Sequence, residues 1–277
     1  MNKSILAAIG AVAVCGSALA ADGISSSIVG YQNRGFDRAK FSYVTPTFLK
    51  FGNGRTLALG DIEASDNFYQ SSIQFLTDGG ATAKVEHKEL GLVYAIYKFQ
   101  WAEDTAAGVR GWYFSADKKG LYPQNDRVIK AGEAFCVDLN SNEKTAALTF
   151  AGEVDAEDNI IAFDHSKFNY VGNATPVDLV LGDIDASDNF FQSSIQFLTE
   201  GGATAKVDHG KLGLVYATYK FQWAEDTAAK VRGWYFSADK QGLYPQNDRV
   251  IKAGEAFCVD LNSNEKTATI TIPAALK

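Results

Sequence analysis

Residues Leu59–Ala146, opening LGDIEASDNFYQSSIQFLTDGG, return as Leu181–Ala268, opening LGDIDASDNFFQSSIQFLTEGG, at a constant spacing of 122 residues and without a gap. Nine of the 88 aligned positions differ (63, 69, 78, 86, 88, 89, 96, 108 and 119). Self-similarity at this level restricts the chain to two copies of one structural plan. Two copies are too few, and the period too long, for a solenoid; modules of about 130 residues match the commonest domain size. The flanking sequence diverges sharply, as after a recent copying within the gene, so identity between the copies says little about constraint. The acidic stretch Gly152–Asp158 (GEVDAED) has no Pro or Gly/Ser tract and predicts a short connector. The expected division is a signal peptide over 1–20, a first module over 21–154 and a second over 155–277.

The N-terminus reads as a secretory signal: Lys3 is the positive region, Ile5 to Val14 the apolar region, and Ala18-Leu19-Ala20 the small-x-small site before Ala21. Cys15 as a lipid-anchor cysteine is the rival reading, disfavoured by the bulk of Val14 before it. No later run approaches the ~20 apolar residues of a transmembrane span. The expectation is an exported chain: extracellular, cell-surface or periplasmic.

Within each module the apolar pattern is that of strands. Ser72–Leu76 and Ala134–Leu139 alternate, Leu92–Phe99 is β-branched and aromatic, and Ala147–Phe150 closes the module. Gly111–Ser115 (GWYFS) puts Trp112 and Phe114 on one face and Tyr113 on the other. Turn residues separate these runs at Asp78–Gly80, Lys119-Gly120, Pro123–Asp126 and Leu139–Asn142. The helical candidate is Ala102–Ala107, a turn or two before Gly108. The predicted fold is all-β, two tandem antiparallel sandwich or barrel-like modules.

With 26 Lys plus Arg against 33 Asp plus Glu, the net charge is -7, which disfavours a nucleic-acid partner. Asp61, Glu63, Asp66 and Asn67 are hard oxygen donors, but their spacing is not that of an EF-hand. Glu63 becomes Asp185 in the second copy, and Asp78/Glu200 and Glu86/Asp208 change length likewise, as solvated charge does. A working ligand is held within about 0.5 Å. No metal and no cofactor is therefore expected. Glu103, Asp104 and Glu133 recur as Glu225, Asp226 and Glu255, the raw material of a glycan hydrolase. The histidines His87, His165 and His209 lack any nucleophile motif nearby, and Gly52–Arg55 and Asp78–Lys84 lack a phosphate-loop context. Cys136 and Cys258 occupy one position in the two copies; a bond between them would need modules facing each other about a pseudo-twofold axis, and free, half-buried thiols are the plainer reading. All four Trp (101, 112, 223 and 234) lie in the repeated block. Trp101 and Tyr113, with Trp223 and Tyr235 in the second copy, are the candidate ligand platform, on which a sugar ring could stack, while Trp112 points inward.

Taken in order, Ile28–Asn33 (IVGYQN), Leu59–Ile62 (LGDI), Ile73–Leu76 (IQFL), Gly111–Tyr113 (GWY), Gly132–Phe135 (GEAF) and Phe150–Val154 (FAGEV) resemble a group of uncharacterised secreted bacterial repeat proteins. The resemblance covers the first module; the second lacks the IVGYQN opening and the FAGEV ending, and closes with Thr269–Pro273 (TITIP). It implies export and a β-rich fold, with LGDI as a strand, and carries over no activity and no site. The expected function is non-enzymatic binding or assembly at or beyond the cell surface, with an extracellular glycan or a further copy of the chain as partner. A tandem carbohydrate-binding protein is the alternative within binding, and a secreted glycan hydrolase the alternative of another class.

Overall fold

The computed structural model describes residues 29–37, 41–49, 56–77, 80–140, 142–164, 168–199, 201–262, 264–265 and 267–275. The signal segment with Cys15, the Gly52–Arg55 loop, the Asp78/Glu200 pair and His165 lie outside them. The fold is all-β, built of open antiparallel sheets, and no closed barrel forms among the described residues.

The first module contains β1 (Val29–Asp37), β2 (Ser42–Val44), β3 (Thr56–Ala58), β4 (Ile62–Ala64), β5 (Ser72–Phe75), β6 (Lys84–His87), β7 (Gly91–Tyr94), β8 (Ile96–Gln100), β9 (Gly111–Phe114), β10 (Val128–Lys130), β11 (Phe135–Asp138) and β12 (Thr145–Glu153). A five-stranded sheet, β2-β11-β5-β8-β9, packs against a three-stranded sheet, β1-β12-β4. The alternation read from the sequence explains the packing. Phe135, Val137, Ile73, Phe75, Tyr97, Phe99, Trp112 and Phe114 from the larger sheet meet Phe36, Ile62, Leu148 and Phe150 from the smaller one in a single cluster. Small two-stranded sheets, β3–β10 and β6–β7, complete the module.

The second module repeats this with β13 (Asn159–Asp164), β14 (Asn169–Gly172), β15 (Leu179–Val180), β16 (Asp185–Ala186), β17 (Ser194–Phe197), β18 (Lys206–His209), β19 (Gly213–Tyr216), β20 (Thr218–Gln222), β21 (Gly233–Phe236), β22 (Val250–Ile251), β23 (Ala256–Asp260) and β24 (Thr267–Ile272). Its buried side chains form a separate cluster. The missing IVGYQN opening is replaced by Asn159–Asp164: Phe163 stands opposite Ala268 as Phe36 stands opposite Ala146. Different sequence thus supplies the same edge strand.

Three expected elements take another form. Leu59–Asp61 is a single 3₁₀ turn rather than a strand, because the Asp61 carboxylate accepts the Ala58 N–H at 3.0 Å and pulls the chain round. Leu92–Phe99 is two strands: Ala95 still donates its N–H to the Ala83 carbonyl at 2.7 Å, in register with the β6–β7 hairpin, but its own carbonyl accepts the Phe75 N–H at 3.1 Å and passes the chain over to β5. The Ala102–Ala107 helix shrinks to one 3₁₀ turn, Ala102–Asp104, ahead of Gly108 at φ +64°.

The modules face each other about a pseudo-twofold axis. Val44 bridges to Glu255 while its counterpart Val171 bridges to Glu133, and the Tyr43 and Tyr170 rings stack at 5.9 Å with 20° between their planes. Reciprocal hydrogen bonds run from Thr45 N to Gly254 O and from Gly172 N to Gly132 O, both at 3.2 Å. Between the modules the connector is strapped down: Val154 and Asp155 are buried, and Asp158 accepts the Ala274 N–H at 2.9 Å.

Candidate binding surface

The residues considered for catalysis have structural work. Glu133 is paired with Arg127 at 2.8 Å and accepts the Lys130 N–H at 3.0 Å, closing the turn that meets the other module; Glu255 does the same with Arg249 and Lys252. Asp61 and Asp183 each close a 3₁₀ turn, and Asp66, Asn67, Glu103 and Asp104 are exposed. Among the described residues no group of three or more His, Cys, Asp and Glu side chains is placed to hold a metal ion. His87 lies at its hairpin's turn, where Nδ1 accepts the Glu89 and Leu90 N–H groups at 3.2 Å and the ring packs on Phe114 and Tyr122. Although the neighbouring sequence changes in the second copy, His209 keeps this setting, on Phe236 and Tyr244 and bonded to Leu212 N–H.

The proposed aromatic platform divides. Tyr113 and Tyr235 are buried, 0% and 1% exposed, and cannot present a face to a ligand. The alternation placed Tyr113 away from the core correctly, but that side is covered by loops: Tyr113 bridges to Pro123, and its hydroxyl donates to the Val109 carbonyl at 2.6 Å. Tyr235 makes the same bond to Val231. Trp112 and Trp234 are buried. Trp101 and Trp223 remain half-exposed, but each ring already carries a guanidinium, Arg110 at 4.4 Å and Arg232 at 4.7 Å. Each also lies nearly parallel to a further ring, Tyr69 at 6.4 Å and Phe191 at 6.3 Å.

The open apolar surface lies instead on the β6–β7 and β18–β19 hairpins. Pairing sets Lys84 opposite Tyr94 and Glu86 opposite Leu92, so these four share one face, while Val93 turns inward. Leu92 and Tyr94 are 59% and 54% exposed, and Leu214 and Tyr216 in the second module 67% and 58%. The ammonium groups of Lys84 and Lys206 sit 5.0 Å from the Tyr94 and Tyr216 ring centres. Each hairpin presents an aromatic, an aliphatic and a cation together, a combination typical of recognition surfaces. The sequence carries this signal in the Leu92/Tyr94 spacing, but it is masked when Leu92–Phe99 is read as one buried strand.

A groove of about 620 Å³ also opens beside β13 and β24, lined by Asp164, Asn169, Ser187, Asn189, Thr267 and Thr269 among others. In the first module the aligned positions of Asn169 and Thr269 hold Ser42 and Ala147, a poorer hydrogen-bonding set.

No family model, no curated protein and no solved structure matches this chain. No helix among the described residues is long and apolar enough to cross a membrane.

Proposed function

We propose that the chain is an exported, non-enzymatic protein that acts by binding or assembly at or beyond the cell surface. The observation that carries this reading is the paired hairpin surface: the same Lys–Tyr–Leu face stands out from both modules, and the modules are fixed to each other through a two-way interface. Two copies of a weak site held in one frame gain avidity without any new contact. The decisive comparison is between the wild-type chain and a Leu92→Ser/Tyr94→Ser/Leu214→Ser/Tyr216→Ser variant. Each would be tested for retention on insoluble polysaccharides and for self-association by sedimentation. Wild type should be retained or should associate, and the variant should lose that behaviour while keeping its circular dichroism; a variant that behaves as wild type removes the hairpins from the account.

Glycan binding is the second reading, favoured by the open groove of the second module, where the carboxylate of Asp164, the amides of Asn169 and Asn189 and the hydroxyls of Ser187, Thr267 and Thr269 stand beside the apolar Ala162, Phe163 and Ala268. Asp164→Ala with Asn189→Ala should abolish saturable glycan binding, whereas Asp37→Ala with Asn67→Ala should not.

A further inference from the structure

We propose that two copies of the chain pair through their β1 strands, edge to edge and antiparallel, to form one continuous six-stranded sheet across the dimer. The proposal builds on the assembly half of the reading above and names its partner. β1 is hydrogen-bonded to β12 along all nine residues, from Val29↔Glu153 to Asp37↔Thr145, and pairs with no strand on its other side among the described residues. A strand's free edge carries a row of backbone donors and acceptors, and exposed edges of this length are usually blunted by Lys, Pro, a bulge or a covering loop. On β1 the outward positions are Val29, Tyr31, Asn33, Gly35 and Asp37, with no Lys or Pro among them. Val29 and Tyr31 are 65% and 60% exposed.

The occupant is read from the strand's own pattern. Antiparallel pairing of β1 with its copy, centred on Asn33, uses the full length of both strands. That register sets Tyr31 of each chain opposite Gly35 of the other on the outward face. A Cβ built on Gly35 meets nothing within 4 Å, so an aromatic ring has open space there. An aromatic opposite a glycine is a known stabilising cross-strand pair. The equivalent edge strand β13 lacks this match. It is six residues long, and its outward positions, Ile160, Ala162 and Asp164, hold neither an aromatic nor a glycine to receive one. Pairing through β1 alone is isologous and closes at two chains.

The test is the molar mass of the purified chain over a dilution series, by sedimentation equilibrium. Wild type should run at twice the chain mass, falling to the chain mass on dilution. Tyr31→Lys/Gly35→Lys places like charges opposite each other across the axis and should run at the chain mass throughout. Mixing that variant with Tyr31→Glu/Gly35→Glu should restore the doubled mass, which separates a broken interface from a broken fold. Ile160→Lys/Ala162→Lys, on β13, should leave the wild-type dimer intact. A wild-type chain at single mass at every concentration overturns the proposal, as does a dimer that survives the Tyr31 and Gly35 substitutions. Because mass in solution reports on β1, the hairpin reading is decided separately, by retention of the wild type on insoluble polysaccharide and its loss in the four-residue hairpin variant.

Discussion

At the scale of single residues, the two thiols make the sharpest statement. Cys136 and Cys258 stand on the outer side of their sheets yet are only 3% exposed, and both are free. Burial pushes each thiol up to about 12, and the neighbouring carboxylates of Asp138 and Asp260 add to the rise. Tyr43, opposite Cys136, is likewise raised to about 12, chiefly by burial. A thiol ordinarily loses its proton near 9.0, so between pH 9 and 12 the unfolded chain releases protons that the folded chain keeps. Stability is then fully present below pH 9 and falls as pH rises, by up to about 1.4 kcal/mol per pH unit for each thiol. Urea midpoints should be flat in this respect up to pH 9 and decline above it, with a shallower decline in Cys136→Ala/Cys258→Ala. An unchanged alkaline slope in that variant would show that the thiols do not drive the loss. The pseudo-twofold arrangement that a Cys136–Cys258 bond would require is present, but Tyr43 and Tyr170, not the thiols, meet at the axis.

At the scale of elements, the turn at Pro123–Asp126 acts as a clamp. Asn125 Oδ1 accepts the Trp112 N–H at 2.9 Å, its Nδ2 donates to the Arg110 carbonyl at 3.4 Å, and its own carbonyl accepts the Gly60 N–H at 2.7 Å. The start of β9 and the Leu59–Asp61 turn are thereby tied to one residue, the first through its side chain and the second through its backbone carbonyl. Gly111 at φ +150° leaves the room: a Cβ there would lie 2.1 Å from Asn125 Oδ1. Asn125→Ala should cost roughly 1–3 kcal/mol, because the Trp112 N–H loses its acceptor, and Asn247→Ala should match it in the second module. Paired urea titrations check both; a loss confined to one module would contradict the shared plan. Period-two alternation at Ser72–Phe75 and Phe135–Val137 made these strands and their inward faces legible in sequence, because alternation reports burial on one side directly. What covers the other side is decided by loops far along the chain. Tyr113 was therefore legible as outward but not as buried, and Leu92 and Tyr94 lost their exposed hairpin to the longer run around them.

At the scale of the whole molecule, the duplicated block supplies the cores, while the unlike segments before each copy build much of the joint between them. Gln32 and Arg34 of β1 reach the Ala253 carbonyl at 3.4 and 3.3 Å, and Asn159 and Ile161 of β13 crowd Gly132. Thr45, Thr47 and Asn173 are buried near the same joint. At its centre each tyrosine reaches across: a Cβ on Gly202 would meet the Tyr43 hydroxyl at 2.5 Å, and one on Gly80 the Tyr170 hydroxyl at 2.6 Å. The tyrosine pair should accordingly couple the two cores. In calorimetry the wild-type chain should unfold in one transition, and Tyr43→Ala/Tyr170→Ala should separate it into two, one for each buried cluster. A double-mutant cycle should give a coupling of about 0.5–1.5 kcal/mol between the rings. A single transition in the double variant, with strictly additive losses, would show that the modules are joined by the connector and the backbone bonds at Gly132 and Gly254 rather than by the aromatic stack.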